Sequence, residues 1–297
     1  MKDLLSQIKE LAPIPTEQEC VLTPLENIKC VIFDIYGTLI ISASGDIGSS
    51  ELIGKSAIQA FEHCGIKIQS NISIEDAGRL IISEYEQEIR NSHDMSREKG
   101  VMHPEVDIQE IWKSVIDELK HDCVLDKEQK IDVERLSITF EFFNNPLYPM
   151  PNFIETLQAL DDSPMTLGIV SNAQFFTPRF INHFISDEFN KSELPWFDKN
   201  IVTYSFDHGI AKPDLFLYEK TKEKIEKMGF KASNCLFVGN DMLNDIYPAH
   251  TVGFKTALFA GDLRSLRLRK NNKYCVDIVP DCIINDLNQI KSIIGLK

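Results

Sequence analysis

One carboxylate near the N-terminus stands where a sheet protein could do chemistry. Asp34 follows the continuous apolar run 30–33, which is typical of a strand buried on both faces of a parallel sheet. A carboxylate at the end of a buried strand costs free energy unless it has a partner or a function. Gly37 allows a sharp turn after it, and Thr38 adds a hydroxyl. An isolated Asp at such a place usually caps a turn, so its role depends on the rest of the chain.

Three other polar segments also follow strand-like apolar runs. They are Ser171 and Asn172 after the run 165–170, Lys212 after the run 201–206, and the acidic segment 239–245 after the run 235–238. Considered alone, each has an ordinary explanation, because Ser, Asn and Asp cap helices and most lysines are solvated. Two acids four residues apart, Asp241 and Asp245, could instead hold a hard cation. Because ligands bind beyond the carboxyl ends of parallel strands, we expect these groups to converge on Asp34.

The pattern of apolar residues predicts two kinds of structure. Between residues 46 and 147, apolar residues repeat at helical spacing in the stretches 53–64, 74–89, 108–119 and 127–143. Beyond residue 148, strand-like runs alternate with helical segments, with further strands predicted at 255–259 and 277–284. Such alternation builds a parallel sheet. The predicted fold class is α/β, a Rossmann-like parallel sheet with helices on both faces plus a small all-helical cap domain.

These elements predict a core, a cap and an N-terminal extension. The core comprises 29–45 and 148–297, the cap 46–147, and the extension 1–28, with a short amphipathic helix ended by the prolines at 13 and 15. The cap is placed to act as a lid over the carboxyl edge of the sheet. The segment 48–56 resembles a phosphate-binding P-loop but has one residue too many between its glycines. We interpret it as the start of the first cap helix.

Composition limits the partners. The 297 residues include 31 Lys+Arg and 45 Asp+Glu, a net charge of −14, which argues against non-specific binding to nucleic acid or to an acidic membrane. A small anionic substrate would need a local positive group or a metal ion. The seven cysteines contain no CxxC pair, and no secretory or transmembrane segment is visible. We therefore expect reduced thiols and a cytoplasmic location, and the oligomeric state stays open.

Four segments, in this order, resemble the motifs of one enzyme superfamily. They are FDIYGTL at 33–39, VSN at 170–172, AKPD at 211–214 and GNDMLND at 239–245. From about Lys29 onward the chain resembles the haloacid dehalogenase-like (HAD) hydrolases. Its helical insert is similar to the cap that these proteins carry after the first motif.

The resemblance implies catalytic roles for five residues. Asp34 would be the nucleophile and would form an aspartyl ester or aspartyl phosphate that water cleaves. Thr38, Ser171 and Asn172 would hold anionic oxygens of the substrate. Lys212 would neutralise charge beside Asp34 and keep it ionised.

The resemblance also implies a Mg²⁺ site. Its ligands would be Asp34, the main-chain carbonyl of Tyr36 and Asp241, with Asp245 supporting the site. Counting five residues back from Asp245 reaches Asn240 instead of Asp241, which would weaken the metal site. We prefer Asp241, because a carboxylate binds Mg²⁺ better than an amide does.

Tyr36 departs from the phosphatase pattern, in which a second Asp, the general acid, stands two residues after the nucleophile. General acid catalysis is typically worth ~10²–10⁴-fold, and a tyrosine with a pKa near ~10 is a poor acid at neutral pH. The DxYGT form is similar to the 2-haloacid dehalogenases, whose halide leaving group needs no proton. Those enzymes work without a metal and carry an arginine early in the cap. This chain has no arginine between Thr38 and Arg79.

Three functions are compatible with these residues. The preferred one is a Mg²⁺-dependent phosphatase acting on a small phosphorylated metabolite. The alternatives are a metal-independent 2-haloacid dehalogenase and a catalytically weak binding or regulatory protein on the same scaffold. Basic residues elsewhere give little guidance, and we expect Arg264, Arg267 and Arg269 to form an exposed basic face.

Overall fold

The computed structural model describes residues 1–43 and 54–296 and divides into two compact units. The helical unit comprises Met1–Lys9 and Ile47–Leu147, and the sheet unit comprises Glu10–Asp46 and Tyr148–Lys297. Within the segment 1–28, Met1–Lys9 belongs to the helical unit and the rest belongs to the sheet unit. Within the described ranges, no helix is long and apolar enough to span a bilayer.

The described residues form these helices and strands, given in chain order. They are α1 (Lys2–Leu5), β1 (Cys30–Phe33), β2 (Ile40–Ser42), α2 (Gly54–His63), α3 (Ile74–Glu98), α4 (Ile108–His121), α5 (Val133–Asn144), β3 (Leu147–Pro149), α6 (Phe153–Asp161), β4 (Thr166–Ser171), α7 (Thr177–Ser186), β5 (Phe197–Tyr204), α8 (Phe216–Lys227), β6 (Cys235–Gly239), α9 (Tyr247–Val252), β7 (Lys255–Phe259), β8 (Cys282–Ile284) and α10 (Gln289–Ile293). A 3₁₀ turn (Ala232–Asn234) precedes β6, and a π turn (Met242–Ile246) follows it.

A parallel sheet organises the sheet unit, with β1 near its centre. The strand order is β5-β4-β1-β6-β7-β8, and every neighbouring pair is parallel. All four residues of β1 are fully buried, as their apolar run predicts. Phe33 is in register with Ile169 on β4 and Val238 on β6, so the three strands end at one edge. The predicted α/β fold class is confirmed.

Two strands begin four or more residues from their predicted starts. β5 begins at Phe197, because its pairing with β4 starts opposite Leu167 and then shifts register. β8 is limited to Cys282–Ile284. Pro280 has no N–H for a ladder, and the side chain of Asp281 accepts a hydrogen bond from the Thr256 N–H (2.9 Å) just before the strand begins.

The helical unit packs α2 to α5 around aromatic side chains. The ring of Trp112 is fully buried and lies 4.8 Å from Tyr85 and 5.0 Å from Phe140, measured between centroids. α5 begins later than predicted because Asp132 caps it through the Arg135 N–H. Of the segment 48–56, interpreted above as a helix start, the part from 54 onward lies in α2. The remainder lies outside the described residues.

Candidate active site

Asp34 lies at the carboxyl edge of the sheet, immediately after β1. Its N–H donates to the Val238 carbonyl (2.9 Å), which continues the pairing of β1 with β6 and fixes the main chain. The side chain is buried, with 6% of the residue exposed. Its Oδ1 accepts hydrogen bonds from the Ser171 hydroxyl (2.8 Å) and from the Lys212 ammonium group (2.7 Å). The structure therefore brings these three predicted residues together.

Lys212 bridges two buried carboxylates. Its Nζ lies 2.7 Å from Asp34 Oδ1 and 2.6 Å from Asp245 Oδ1. Burial alone would lower the pKa of Lys212, but the charges of Asp245 and Asp34 outweigh it and raise that pKa. Lys212 therefore supplies a permanent positive charge beside the predicted nucleophile.

Asn172 positions Lys212 through the main chain. Its Oδ1 accepts a hydrogen bond from the Lys212 N–H (2.7 Å). The side-chain amide thus stabilises the segment that carries the ammonium group. The contact with substrate oxygens that the resemblance implied for Asn172 stays a prediction.

The loop after Asp34, called the nucleophile loop from here on, is packed against the loop after β6. The Thr38 hydroxyl donates to Asn240 Oδ1 (2.9 Å), and Asn240 Nδ2 donates to the Ser265 carbonyl (2.7 Å). Gly37 has a φ of +81°, and a Cβ there would lie 2.4 Å from Ser265 Cβ. Only glycine fits this close approach. The residue in contact with the nucleophile loop is thus Asn240.

Tyr36 stands two residues after Asp34, where the phosphatase pattern has a general acid. Its hydroxyl shares a hydrogen bond of 2.9 Å with the Thr177 hydroxyl at the start of α7. Thr177 Oγ1 also accepts from the Gln174 N–H (3.1 Å). The phenol therefore joins the nucleophile loop to the loop that follows β4.

Asp241 is bound to an arginine. Its Oδ1 lies 3.1 Å from Arg269 Nε and its Oδ2 lies 2.6 Å from Arg269 Nη2, a bidentate ion pair. Oδ1 also accepts from the Leu243 N–H (2.8 Å) at the start of the π turn. The Asp241 side chain thus has a structural role at the start of this turn.

Asp245 joins the acidic loop to the lysine. Its Oδ2 accepts from the Asp241 N–H (2.9 Å), while Oδ1 binds Lys212. Burial raises the pKa of Asp245, and the charges of Asp34 and Asp241 add to this, although Lys212 opposes it. Burial raises the pKa of Tyr218, and the charges of the same three carboxylates add to this. The three acids therefore form one electrostatic cluster.

Comparison of the chain with known protein families agrees with these motifs. A family model described as haloacid dehalogenase-like hydrolase matches residues 28–253. The chain belongs to the haloacid dehalogenase-like hydrolase family. The resemblance drawn from the sequence is confirmed, and membership of this family makes the protein a hydrolase. No curated protein matches it.

Solved structures share the fold. A HAD phosphatase from Thermococcus onnurineus is 21% identical with a TM-score of 0.51, and covers 90% of this chain and 97% of its own. A 2-haloacid dehalogenase from Pseudomonas syringae pv. Tomato DC3000 is 19% identical with a TM-score of 0.55 and the same coverage. At these identities the likeness is one of fold, and it includes both kinds of enzyme.

Magnesium, which the HAD resemblance implied, does not fit this arrangement of side chains. Within residues 1–43 and 54–296, no three His, Cys, Asp or Glu side chains are arranged to hold a metal ion. Both oxygens of Asp241 accept from Arg269, and Asp34 and Asp245 share Lys212. A cation bound through Asp241 would therefore have to displace Arg269.

Sequence reasoning missed the loop after β7 that surrounds the acidic motif. The expectation that its arginines form an exposed basic face is wrong, since Arg264 pairs with buried Asp262 and Arg269 pairs with Asp241. Arg267 is half-buried, and its guanidinium donates to the main-chain carbonyls of Arg264 and Leu266. The run LRSLRLR at 263–269 signalled repeated arginines but not their partners.

Proposed function

We propose that this HAD hydrolase cleaves small anionic substrates without a metal ion, and that 2-haloacids are the substrate class. The observation that carries the proposal is the pairing of charges at the site. Lys212 serves as the cation of Asp34, while Asp241, the preferred metal ligand, is bound by Arg269. A reaction whose leaving group departs without a proton suits a site in which Tyr36 replaces the usual acid.

The reaction would proceed in two steps at Asp34. Ser171 and Lys212 both bind Oδ1, so Oδ2 is the attacking atom. Oδ2 forms a bond to C2 of the haloacid as the carbon–halogen bond breaks, and the halide leaves with the bonding electrons. Water then adds to the carbonyl carbon of the aspartyl ester. The carboxylate is restored, the 2-hydroxy acid is released and a proton passes to solvent.

A substrate panel with and without Mg²⁺ tests this proposal. We expect halide release from 2-chloropropionate in the presence of a chelator, and a loss of ~10³-fold or more in Asp34→Asn. Asp161→Asn, at an exposed position on α6, is the matched control and should retain full activity. If no short haloacid releases halide, the dehalogenase proposal is refuted.

The Mg²⁺-dependent phosphatase favoured by the sequence is the second candidate. It is supported by the proximity of three carboxylates, since Lys212 joins Asp34 to Asp245 and Asp245 binds the Asp241 N–H, and carboxylates in one place could attract a cation. It requires that Arg269 leave Asp241. In the same panel it predicts phosphate release that needs Mg²⁺ and is lost in Asp241→Asn. If no product forms under any condition of the panel, the result would favour the binding or regulatory protein.

A further inference from the structure

A guanidinium group occupies the acidic motif of this chain. Asp241 is buried, with 5% of the residue exposed, and Arg269 reaches it with a side chain that is 34% exposed. Two nitrogens of the arginine meet the two oxygens of the carboxylate. This bidentate fork adds both energy and geometric specificity to the pair, and the guanidinium is charged at every physiological pH.

Main-chain hydrogen bonds hold the arginine there. The Arg267 N–H donates to the Asn240 carbonyl (3.0 Å), and the Met242 N–H donates to the Arg267 carbonyl (2.9 Å). These two bonds hold Arg267 beside the acidic loop, and Asp241 pairs with Arg267 as an isolated parallel bridge. Arg269 therefore reaches Asp241 from a segment that is anchored two residues earlier.

The charges of the site nearly balance without a metal. Three carboxylates, Asp34, Asp241 and Asp245, face two cations, Lys212 and Arg269. If Arg269 were neutral, three carboxylates would face one cation, and a divalent ion would be strongly attracted.

We propose that Arg269 takes the place of the divalent cation at this acidic motif, so that the chain carries its own permanent counter-charge for Asp241. The inference explains how the site in the proposed function works without a metal. The experiment that tests this inference measures cation binding and not turnover. The inference can therefore be upheld or refuted whatever the substrate is.

Thermal unfolding during a MgCl₂ titration at constant ionic strength tests the proposal. We expect the wild type to show no Mg²⁺-specific rise in melting temperature. In Arg269→Gln, removing one positive charge beside Asp241 should raise the apparent Mg²⁺ affinity at least ~10-fold, so that Mg²⁺ stabilises the variant. Arg269→Gln combined with Asp241→Asn should lose this response. Arg97→Gln, which removes an exposed ion pair with Asp94, is the matched control and should behave as the wild type.

Two results would overturn the proposal. One is a wild type that binds Mg²⁺ as tightly as Arg269→Gln, and the other is a folded Arg269→Gln that gains no Mg²⁺ response. If circular dichroism shows that Arg269→Gln is unfolded, the Asp241→Asn variant alone tests the proposal. Its response to Mg²⁺ should equal that of the wild type, whereas a site that normally binds metal through Asp241 would lose a response that the wild type has.

Discussion

Two cationic side chains set the electrostatics of the carboxylates at the strand ends. Lys212 binds Asp34 and Asp245, and Arg269 binds Asp241. Buried carboxylates are costly without such partners, and breaking a buried pair costs more than the pair contributes. The two cations therefore offset the cost of burying these three acids.

Glu141 is a buried acid of the helical unit that has no cation bound to it in the described contacts. Its Oε1 accepts from Asn145 Nδ2 (2.9 Å). Burial raises the pKa of Glu141 from its ordinary value of 4.5 to about 7, and the hydrogen bond from Asn145 opposes this only in part. Between these two values the unfolded chain has lost the proton that the folded chain keeps, so stability should fall as the pH rises through this window.

Glu141→Gln should remove this loss of stability. The variant stays neutral, so at about pH 8 we expect its free energy of unfolding to exceed that of the wild type by up to about 3 kcal/mol, and by little at about pH 5. Urea unfolding at both pH values measures the difference. Glu118→Gln, on the exposed face of α4, is the control and should change stability by less than ~0.5 kcal/mol at either pH. Equal effects at both pH values would contradict the assignment.

At the scale of elements, the site depends on three loops that pack against one another. The nucleophile loop contacts the loop after β6 through Thr38 and Asn240, and both contact the loop after β7 through Ser265. Gly37 is where the contact is closest. A change there should separate all three loops.

Gly37→Ala should therefore destabilise the fold and lower turnover together. Alanine at a positive φ costs roughly 1–2 kcal/mol, and the added Cβ would clash with Ser265. Gly100→Ala is a matched control, because Gly100 has a φ of +90° but no heavy atom within 4 Å of the added Cβ. We expect Gly100→Ala to show the backbone cost alone, and Gly37→Ala a larger loss by urea unfolding. Equal losses would show that the contact with Ser265 is unimportant.

At the scale of the molecule, the N-terminal segment of the sheet unit is joined to the loop after β7. Asp262, which is 1% exposed, accepts from the Ile14 N–H (3.1 Å) and pairs with Arg264. The Leu263 N–H donates to the Ile14 carbonyl (2.8 Å), and Arg264 donates to the Ala12 carbonyl. Residues near the start of the chain thus support the loop that carries Arg269.

Asp262→Ala should loosen two segments far apart in sequence. Losing a buried acceptor leaves the Ile14 N–H and Arg264 without this partner, at a cost of ~1–3 kcal/mol. We expect faster hydrogen–deuterium exchange in both 10–20 and 261–269, measured by mass spectrometry. Asp281→Ala, which removes a carboxylate bound to Lys255 and Thr256, is the control and should leave the segment 10–20 unchanged. Unchanged exchange in both segments of Asp262→Ala would contradict this link.

Local patterns in the sequence determined the fold class and the family. The apolar run at β1, the helical spacing between residues 54 and 144, and the alternation that follows depend on neighbours within a few positions, which is why they are readable without coordinates. The rule that ligands lie beyond strand ends also directed attention to Asp34, Ser171 and Lys212, which the structure places in contact.

Only the tertiary structure decided which group of the acidic motif contacts the nucleophile loop and which cation the motif carries. Asn240 contacts Thr38, whereas Asp241 pairs with Arg269. Both contacts follow from the docking of the loop after β7, which lies about 25 residues further along the chain. No local periodicity encodes that docking, because it depends on hydrogen bonds and charges that meet only when the sheet is assembled.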